Sequence, residues 1–254
     1  MNCRNHYLDI FKVTEPQLDK VIATALARGG DFADIYFEYT TFYNLILKDG
    51  AVSSGGFHTD YGVGIRVLNG EKTGYAYSEN PEMGEMLKAA EAAGAIAQCG
   101  GGGRSFKAVQ EGRSDFYPMQ MDWRRQQASA FLPFLLDLEK QILAKDSRIV
   151  KVIARLSDSV SDILMYNSLG ELTYDTRPMG SLSVSVVFQD KGMTENRSVS
   201  RSFRTGAELI SPALAKEIAD EAVKGIDARF EAKRPKGGQM SVVMGAGGSG
   251  ILLH

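Results

Sequence analysis

Residues 33–77 read ADIYFEYTTFYNLILKDGAVSSGGFHTDYGVGIRVLNGEKTGYAY, and the fold prediction starts from this segment. Apolar and polar residues alternate locally, as at Ile35 and Phe37, which is typical of strands with one buried face. Asp49-Gly50 and Asn69-Gly70 separate the runs, and both pairs tolerate the positive φ of two-residue hairpin turns. Two such turns so close together predict an antiparallel meander. The predicted strands are Ala33–Leu47, Gly62–Leu68 and Thr73–Tyr77.

Helical and strand patterns alternate in the rest of the chain. Apolar residues recur at spacings of three and four in several segments, which predicts helices. These predicted helices are Glu15–Arg28, Pro81–Gln98, Gln126–Lys145 with Pro133 at its start or at a kink, and one opened by Ser211-Pro212 that reaches Phe230. Further strands are predicted at Val150–Leu156, Ile163–Asn167, Leu182–Gln189, Glu195–Phe203 and Met240–Met244.

These elements predict an α+β protein in three parts. Residues 15–98 form a helix-plus-meander domain, and residues 121–235 form a central domain of helices and antiparallel strands. A Gly-rich linker at 99–120 joins them. Residues 238–254 supply a strand and a glycine turn that begin a third, truncated β domain, because the apolar run Ile251–Leu253 has no polar tail after it.

Composition narrows the classes of function. The chain has 254 residues with 44% hydrophobic and 24% charged residues, as in ordinary globular proteins. Its net charge of −2 does not point to a nucleic-acid partner, which favours a clustered basic surface. Cys3 and Cys99 provide no disulfide framework and are expected to be reduced thiols. No signal peptide and no apolar stretch long enough for a membrane span is found. These features predict a cytoplasmic protein.

Two glycine clusters resemble phosphate-binding loops in part. Gly245–Gly250 fits G-x-G-x-x-G, but a dinucleotide site also needs a following helix and an acidic residue about 20 positions on. Only four residues follow Gly250. We therefore interpret Gly245–Gly250 as a tight glycine turn, and a nucleotide-binding enzyme is the less favoured interpretation. Gly100–Gly103 ends in Arg104-Ser105 instead of Gly-Lys-Ser/Thr, which favours a connector.

The polar candidates give no catalytic constellation. His6, His58 and His254 share no metal-ligand spacing. Glu171, Asp175 and Arg177 could form a polar cluster, although a solvated hairpin has the same appearance and is favoured.

Several separated stretches, in order along nearly the whole chain, resemble the TldD/PmbA family. They are residues 32–38 (FADIYFE), 62–68 (GVGIRVL) with 74–76 (GYA), 166–170 (YNSLG) with 175–178 (DTRP), and 240–254, which leads into a final Leu-Leu-His.

This resemblance implies a zinc metallopeptidase that cleaves small or unfolded peptides within a homodimer or a heterodimer with a PmbA-like subunit. TldD-type members carry H-E-x-x-x-H on a helix, whose histidines bind zinc and whose glutamate is the general base. Only His254 maps onto this motif, as a metal ligand, so the resemblance assigns no catalytic residue here. The 254-residue chain is therefore expected to be an inactive N-terminal portion. PmbA-type members, which lack the motif and act as non-catalytic partners, remain the alternative.

Overall fold

Residues 4–97, 117–233 and 236–254 are described by the computed structural model of the chain. Cys3, Cys99, the glycines at 100–103 and all of the predicted linker except 117–120 lie outside these ranges. The helices are α1 (Arg4–Phe11), α2 (Glu15–Leu26), α3 (Met83–Ile96), α4 (Leu132–Leu143), α5 (Pro212–Val223), α6 (Ile226–Phe230) and α7 (Gly248–Leu253). Short 3-10 turns lie at Trp123–Arg125, Ala128–Phe131 and Ala207–Leu209.

Six antiparallel strands form one sheet, which confirms the predicted α+β class. The strands are β1 (Phe32–Lys48), β2 (Ala51–Asn69), β3 (Lys72–Ser78), β4 (Ile149–Asn167), β5 (Leu172–Asp190) and β6 (Met193–Phe203). Their order is β3-β2-β1-β4-β5-β6. The sheet therefore runs without interruption across the two segments that the sequence analysis treats as separate domains, because β1 pairs with β4 from Asp34–Asn167 to Lys48–Ile153.

The predicted hairpin turns are present. Asp49 and Gly50 both have positive φ, 51° and 75°, between β1 and β2. Gly70 also has positive φ, 59°, but the turn residues are Gly70 and Glu71, and Asn69 is the last residue of β2. The turn is displaced by one position because Asn69 pairs with Lys72.

Buried helix residues lie against one face of the sheet and form two cores. One core joins α1, α2 and α3 to β1–β3, and the other joins α4 and α5 to β4–β6. Each core also takes residues from the other segment. Leu45 and Leu47 of β1 lie in the core under α4 and α5, and Leu164 and Tyr166 of β4 lie in the core under α1–α3. The side chains of intervening positions project from the opposite face, which we call the bare face.

Two predicted strands are a single strand in the structure. Val150–Leu156 and Ile163–Asn167 both belong to β4, and the polar residues between them continue the alternation. Asp158, Val160 and Asp162 are buried there on the helix-covered face. A run that looks like a loop by composition is therefore the middle of the strand.

Two helix ends differ from the prediction, one near a proline and one near a glycine. Pro133 lies in the first turn of α4, so the helix begins at Leu132 and the preceding Ala128–Phe131 is a 3-10 turn. The helix opened by Pro212 stops at Val223, because Gly225 adopts a φ of 75° before α6.

The strand predicted at Met240–Met244 is wrong. The segment has no regular structure, and Val243 is 98% exposed. Its backbone has no neighbouring strand within the part of the chain that the structure describes, and a β-strand requires one. Gly248–Leu253, expected to continue from a glycine turn, forms the short helix α7.

None of the helices in the described ranges is long and apolar enough to cross a membrane.

Candidate functional site

His254 follows α7 at an exposed position. No group of three or more His, Cys, Asp or Glu side chains that could hold a metal occurs within residues 4–97, 117–233 and 236–254. Hydrolytic zinc sites ordinarily use three protein ligands. The described residues therefore do not fit zinc by themselves, and no catalytic step is assigned to them.

The glycine cluster Gly245–Gly250 is an exposed turn that leads into α7. Ser249 donates a hydrogen bond from Oγ to the carbonyl oxygen of Gly245, 3.0 Å away, and Gly247 has a φ of 111°. No strand precedes the turn, and a dinucleotide-binding turn requires one.

The Asn-Ser-Leu-Gly stretch forms the turn of the β4–β5 hairpin. The side-chain oxygen of Asn167 accepts hydrogen bonds from the backbone N–H groups of Leu169 and Glu171, at 3.0 and 3.1 Å. Its side-chain nitrogen donates to the Glu171 carboxylate at 2.6 Å. Ser168 ties the turn to the start of β1, because its backbone N–H donates to the carbonyl oxygen of Ala33 at 2.8 Å. Glu171 thus stabilises its own hairpin.

Asp175 and Arg177 lie two residues apart on β5. The Arg177 Nε donates to Asp175 Oδ2 at 3.0 Å, and both side chains are about half exposed. This exposed pair on one arm of the β4–β5 hairpin agrees with the solvated hairpin that the sequence analysis favoured over a polar cluster.

A buried polar network, which the sequence analysis missed, links α1 to the centre of the sheet. The Tyr7 hydroxyl lies 2.6 Å from the hydroxyl of Thr176, which donates to Asp162 Oδ1 at 2.6 Å. Arg124 completes the network by donating to Asp162 Oδ2 at 2.5 Å and to Asp122 at 2.8 Å. Asp162 is 1% exposed, so its charge is balanced by Arg124 instead of water. Thr176 belongs to the Asp-Thr-Arg-Pro stretch, but no local signal marks its partners.

Asp158 is a second buried carboxyl on the same face of β4. Its Oδ1 atom is buried without a hydrogen-bond partner and lines a small cavity with Asn44, Gln126 and other residues. Burial, with a further contribution from the charge of Asp122, raises the pKa of Asp158 to about 7. The group therefore gains or loses a proton near neutral pH.

An aromatic and acidic groove lies on the bare face where β3 ends. Glu38 accepts hydrogen bonds from the hydroxyls of Tyr36 and Thr40, at 2.9 and 2.8 Å. Burial, followed by the bond to Glu38, raises the pKa of Tyr36 to about 12, so this hydroxyl stays a donor. The other bare-face side chains of the groove are Asp60, Tyr75, Tyr77 and Glu79.

Comparison with known proteins places this fold in a family. Residues 33–97 match the model of PmbA/TldA metallopeptidase domain 1, and residues 122–228 match that of the central domain of the same family. The chain is 32% identical over 236 residues to a metalloprotease TldD homolog of Haemophilus influenzae, which covers 89% of this chain and 48% of that protein. A metalloprotease TldD homolog of Buchnera aphidicola from Acyrthosiphon pisum is 26% identical over 97% of this chain and 53% of its own length.

Solved structures share the fold at low identity. A proposed modulator of a DNA gyrase from Thermotoga maritima superposes with a TM-score of 0.66 and 22% identity, over 82% of this chain and 47% of that one. TldE from Thermococcus kodakarensis gives a TM-score of 0.62 and 13% identity, over 83% and 47%.

The class defined by the continuous sheet and the two matched segments is that of the PmbA/TldD proteins, and this chain belongs to that family. It spans about half the length of the curated relatives that it matches.

Proposed function

We propose that this chain is the N-terminal and central portion of a TldD-type zinc metallopeptidase that hydrolyses small or unfolded peptides in the cytoplasm. The main support is the 32% identity to the Haemophilus influenzae metalloprotease TldD homolog, which extends over 89% of the chain. In this proposal His254 is the first zinc ligand, and the remaining ligands and the general base come from residues that follow it in the complete protein. The 254-residue chain alone is inactive, because one imidazole does not make a hydrolytic zinc site.

The test compares the complete protein with its His254→Ala variant. We expect the complete protein to hold zinc and to cleave an unfolded substrate such as reduced, alkylated casein, and the variant to lose both properties. His6→Ala is the matched control, since His6 is an exposed histidine of α1. Retention of full zinc content and activity in His254→Ala would remove His254 from the site.

A non-catalytic, PmbA-like subunit is the second candidate. Its support is the fold shared with Thermococcus kodakarensis TldE. The gene sequence after His254 separates the two, because H-E-x-x-x-H favours the peptidase. Light scattering on the complete protein, alone and mixed with a PmbA-like subunit, would establish whether it forms the proposed homodimer or heterodimer.

A further inference from the structure

Part of β2 is an open strand edge. β1 pairs with β2 along its whole length, whereas β3 pairs with it only from Val63 to Asn69. From Ala51 to Gly62, the edge facing away from β1 has no strand partner in the described ranges of the chain, and residues 51–60 are all exposed. Half of the backbone N–H and C=O groups here are therefore directed at solvent in the geometry of a strand.

This edge lacks the features that usually prevent pairing. Residues 51–59, AVSSGGFHT, contain no charged residue and no proline. The opposite edge of the sheet, β6, carries Glu195, Arg197 and Arg201, and Arg201 donates to Glu217 of α5 at 2.7 Å. Charges on edge strands discourage the addition of another strand. The β2 edge is thus open where the β6 edge is protected.

The groove at the end of this edge favours a cation. Within the described residues, Glu38, Asp60 and Glu79 form no salt bridge with a lysine or arginine. Two arginines on the same face, Arg66 and Arg177, are instead paired with Asp34 and Asp175. Tyr75 and Tyr77 are 56% and 71% exposed and add ring faces, which attract ammonium and guanidinium groups. Carboxylates bind such groups with charge-assisted hydrogen bonds.

Strand register connects the edge to the groove. On one side of β2, Tyr77 of β3 pairs with Gly64. On the other side of β2, Glu38 of β1 pairs with Gly62. Directly opposed residues of antiparallel strands project from the same face. A residue of an added strand that is opposite Asp60 would therefore place its side chain on the bare face, beside Asp60. The space over Gly62 and Gly64 is taken by the Ser78 carbonyl oxygen and the Tyr75 hydroxyl, which would lie 3.0 and 2.5 Å from a Cβ atom at those positions. A long side chain beside Asp60 therefore meets these oxygens at the wall of the groove.

We propose that the β2 edge from Ala51 to Gly62 binds an extended peptide segment by strand addition, and that the groove takes a lysine or arginine side chain opposite Asp60. Backbone hydrogen bonds supply affinity, and the groove supplies the preference for a basic residue. This recognition is separate from the hydrolytic chemistry proposed above, because it uses no metal ligand.

Fluorescence anisotropy on the 254-residue chain tests the proposal. The probes are labelled nine-residue threonine/valine peptides with arginine, citrulline or glutamate at the central position, and a fourth arginine peptide with alternate backbone nitrogens methylated. We expect the arginine peptide to bind at least fivefold more tightly than the citrulline peptide. The glutamate peptide is expected to bind most weakly, and methylation of the edge-facing nitrogens to abolish binding.

Variants assign the binding to the groove. Asp60→Asn and Tyr77→Leu are expected to remove the preference for arginine over citrulline while leaving citrulline binding unchanged. Asp60 is substituted instead of Glu38, because Glu38 accepts two structural hydrogen bonds, whereas Asp60 is exposed. Glu195→Gln, on the β6 edge, is the control and is expected to bind as the parent chain does.

Three results would overturn the proposal: no binding of any probe, equal binding of the arginine and citrulline peptides, or dimerisation through β2 that the arginine peptide does not compete away. The last result would assign the edge to a second copy. None of these readouts requires hydrolysis, so failure here leaves the proposed peptidase untouched, and failure of the peptidase assays leaves peptide binding standing.

Discussion

The hydroxyl oxygens of Tyr7 and Thr176 lie 2.6 Å apart although the residues are separated by 169 positions in sequence. Tyr7 is fully buried, and its ring packs against that of Tyr174 with centroids 4.7 Å apart. Through Thr176 this contact joins α1 to Asp162 and Arg124. The first helix is therefore held to the sheet by polar as well as apolar contacts.

Tyr7→Phe is expected to lower the free energy of unfolding by about 1 kcal/mol, because it removes one hydroxyl hydrogen bond and keeps the ring packing. Thr176→Val should cost more, about 2 kcal/mol, since it also removes a donor to the buried carboxylate of Asp162. Urea unfolding of both variants and of the double variant measures the coupling. Strictly additive losses would mean that the two hydroxyls do not interact.

Asp158→Asn is expected to change how stability depends on pH. The pKa of Asp158 is raised to about 7, whereas an unfolded aspartate titrates near 4. Between these values the folded chain binds more protons than the unfolded chain, so stability falls as pH rises through the window and stays lower above pH 7. The asparagine removes this loss and should stabilise the protein by about 2–4 kcal/mol at pH 8, and little at pH 4.

The measurement is urea unfolding at pH 4, 6 and 8. Asp137→Asn serves as the control, because Asp137 is an exposed residue of α4. An equal effect of Asp158→Asn at all three pH values would show that Asp158 does not titrate in this range.

Gly74→Ala is expected to destabilise the packing of α3 on β3. A Cβ atom at Gly74 would lie 2.0 Å from the carbonyl oxygen of Ala93, and this backbone atom can move only with its helix. A loss of about 2–3 kcal/mol is expected from such overpacking. Gly84→Ala, at an open position in the first turn of α3, is the matched control and should change stability by less than about 1 kcal/mol. Thermal melts followed by circular dichroism compare the two, and equal melting temperatures would contradict the contact.

Deletion of Ser241–His254 is expected to leave the sheet folded and to reduce self-association. Val243, Ile251 and Leu253 are more than 80% exposed, so they contribute little to the cores and add apolar surface. The melting temperature should stay the same while light scattering falls. A lower melting temperature with unchanged scattering would mean that this segment packs against the rest of the chain in solution.

Local chemistry made the hairpins predictable, and distant pairing made the rest of the sheet hard to foresee. Asp49-Gly50 requires positive φ, so its turn could be placed from two residues. The continuity of β4 was missed because Asp158 and Asp162 are buried, which their residue type argues against. No pattern within either strand encodes the pairing of β1 with β4.

The groove could not be predicted for a related reason. Tyr36, Asp60 and Tyr77 come from three strands, and only the register of those strands brings them to one place. By contrast, the resemblance of the final residues to a metal motif depended on contiguous sequence. His254 could therefore be singled out, although no group of three or more metal-ligating side chains occurs in the ranges that the structure describes.

The pairing of β1 with β4 also sets an order for biosynthesis. Asp34 pairs with Asn167, so one side of β1 has no partner until the ribosome has released most of the central segment. At about 5–20 residues per second, this delay is on the order of 10 s. During that time Leu45 and Leu47 have no core to pack into, because α4, α5 and β4 are not yet in place. The edge of β1 that later pairs with β4 is also open, in addition to the β2 edge. Nascent chains of this protein are therefore expected to expose apolar side chains and an unpaired strand edge until translation has passed β4.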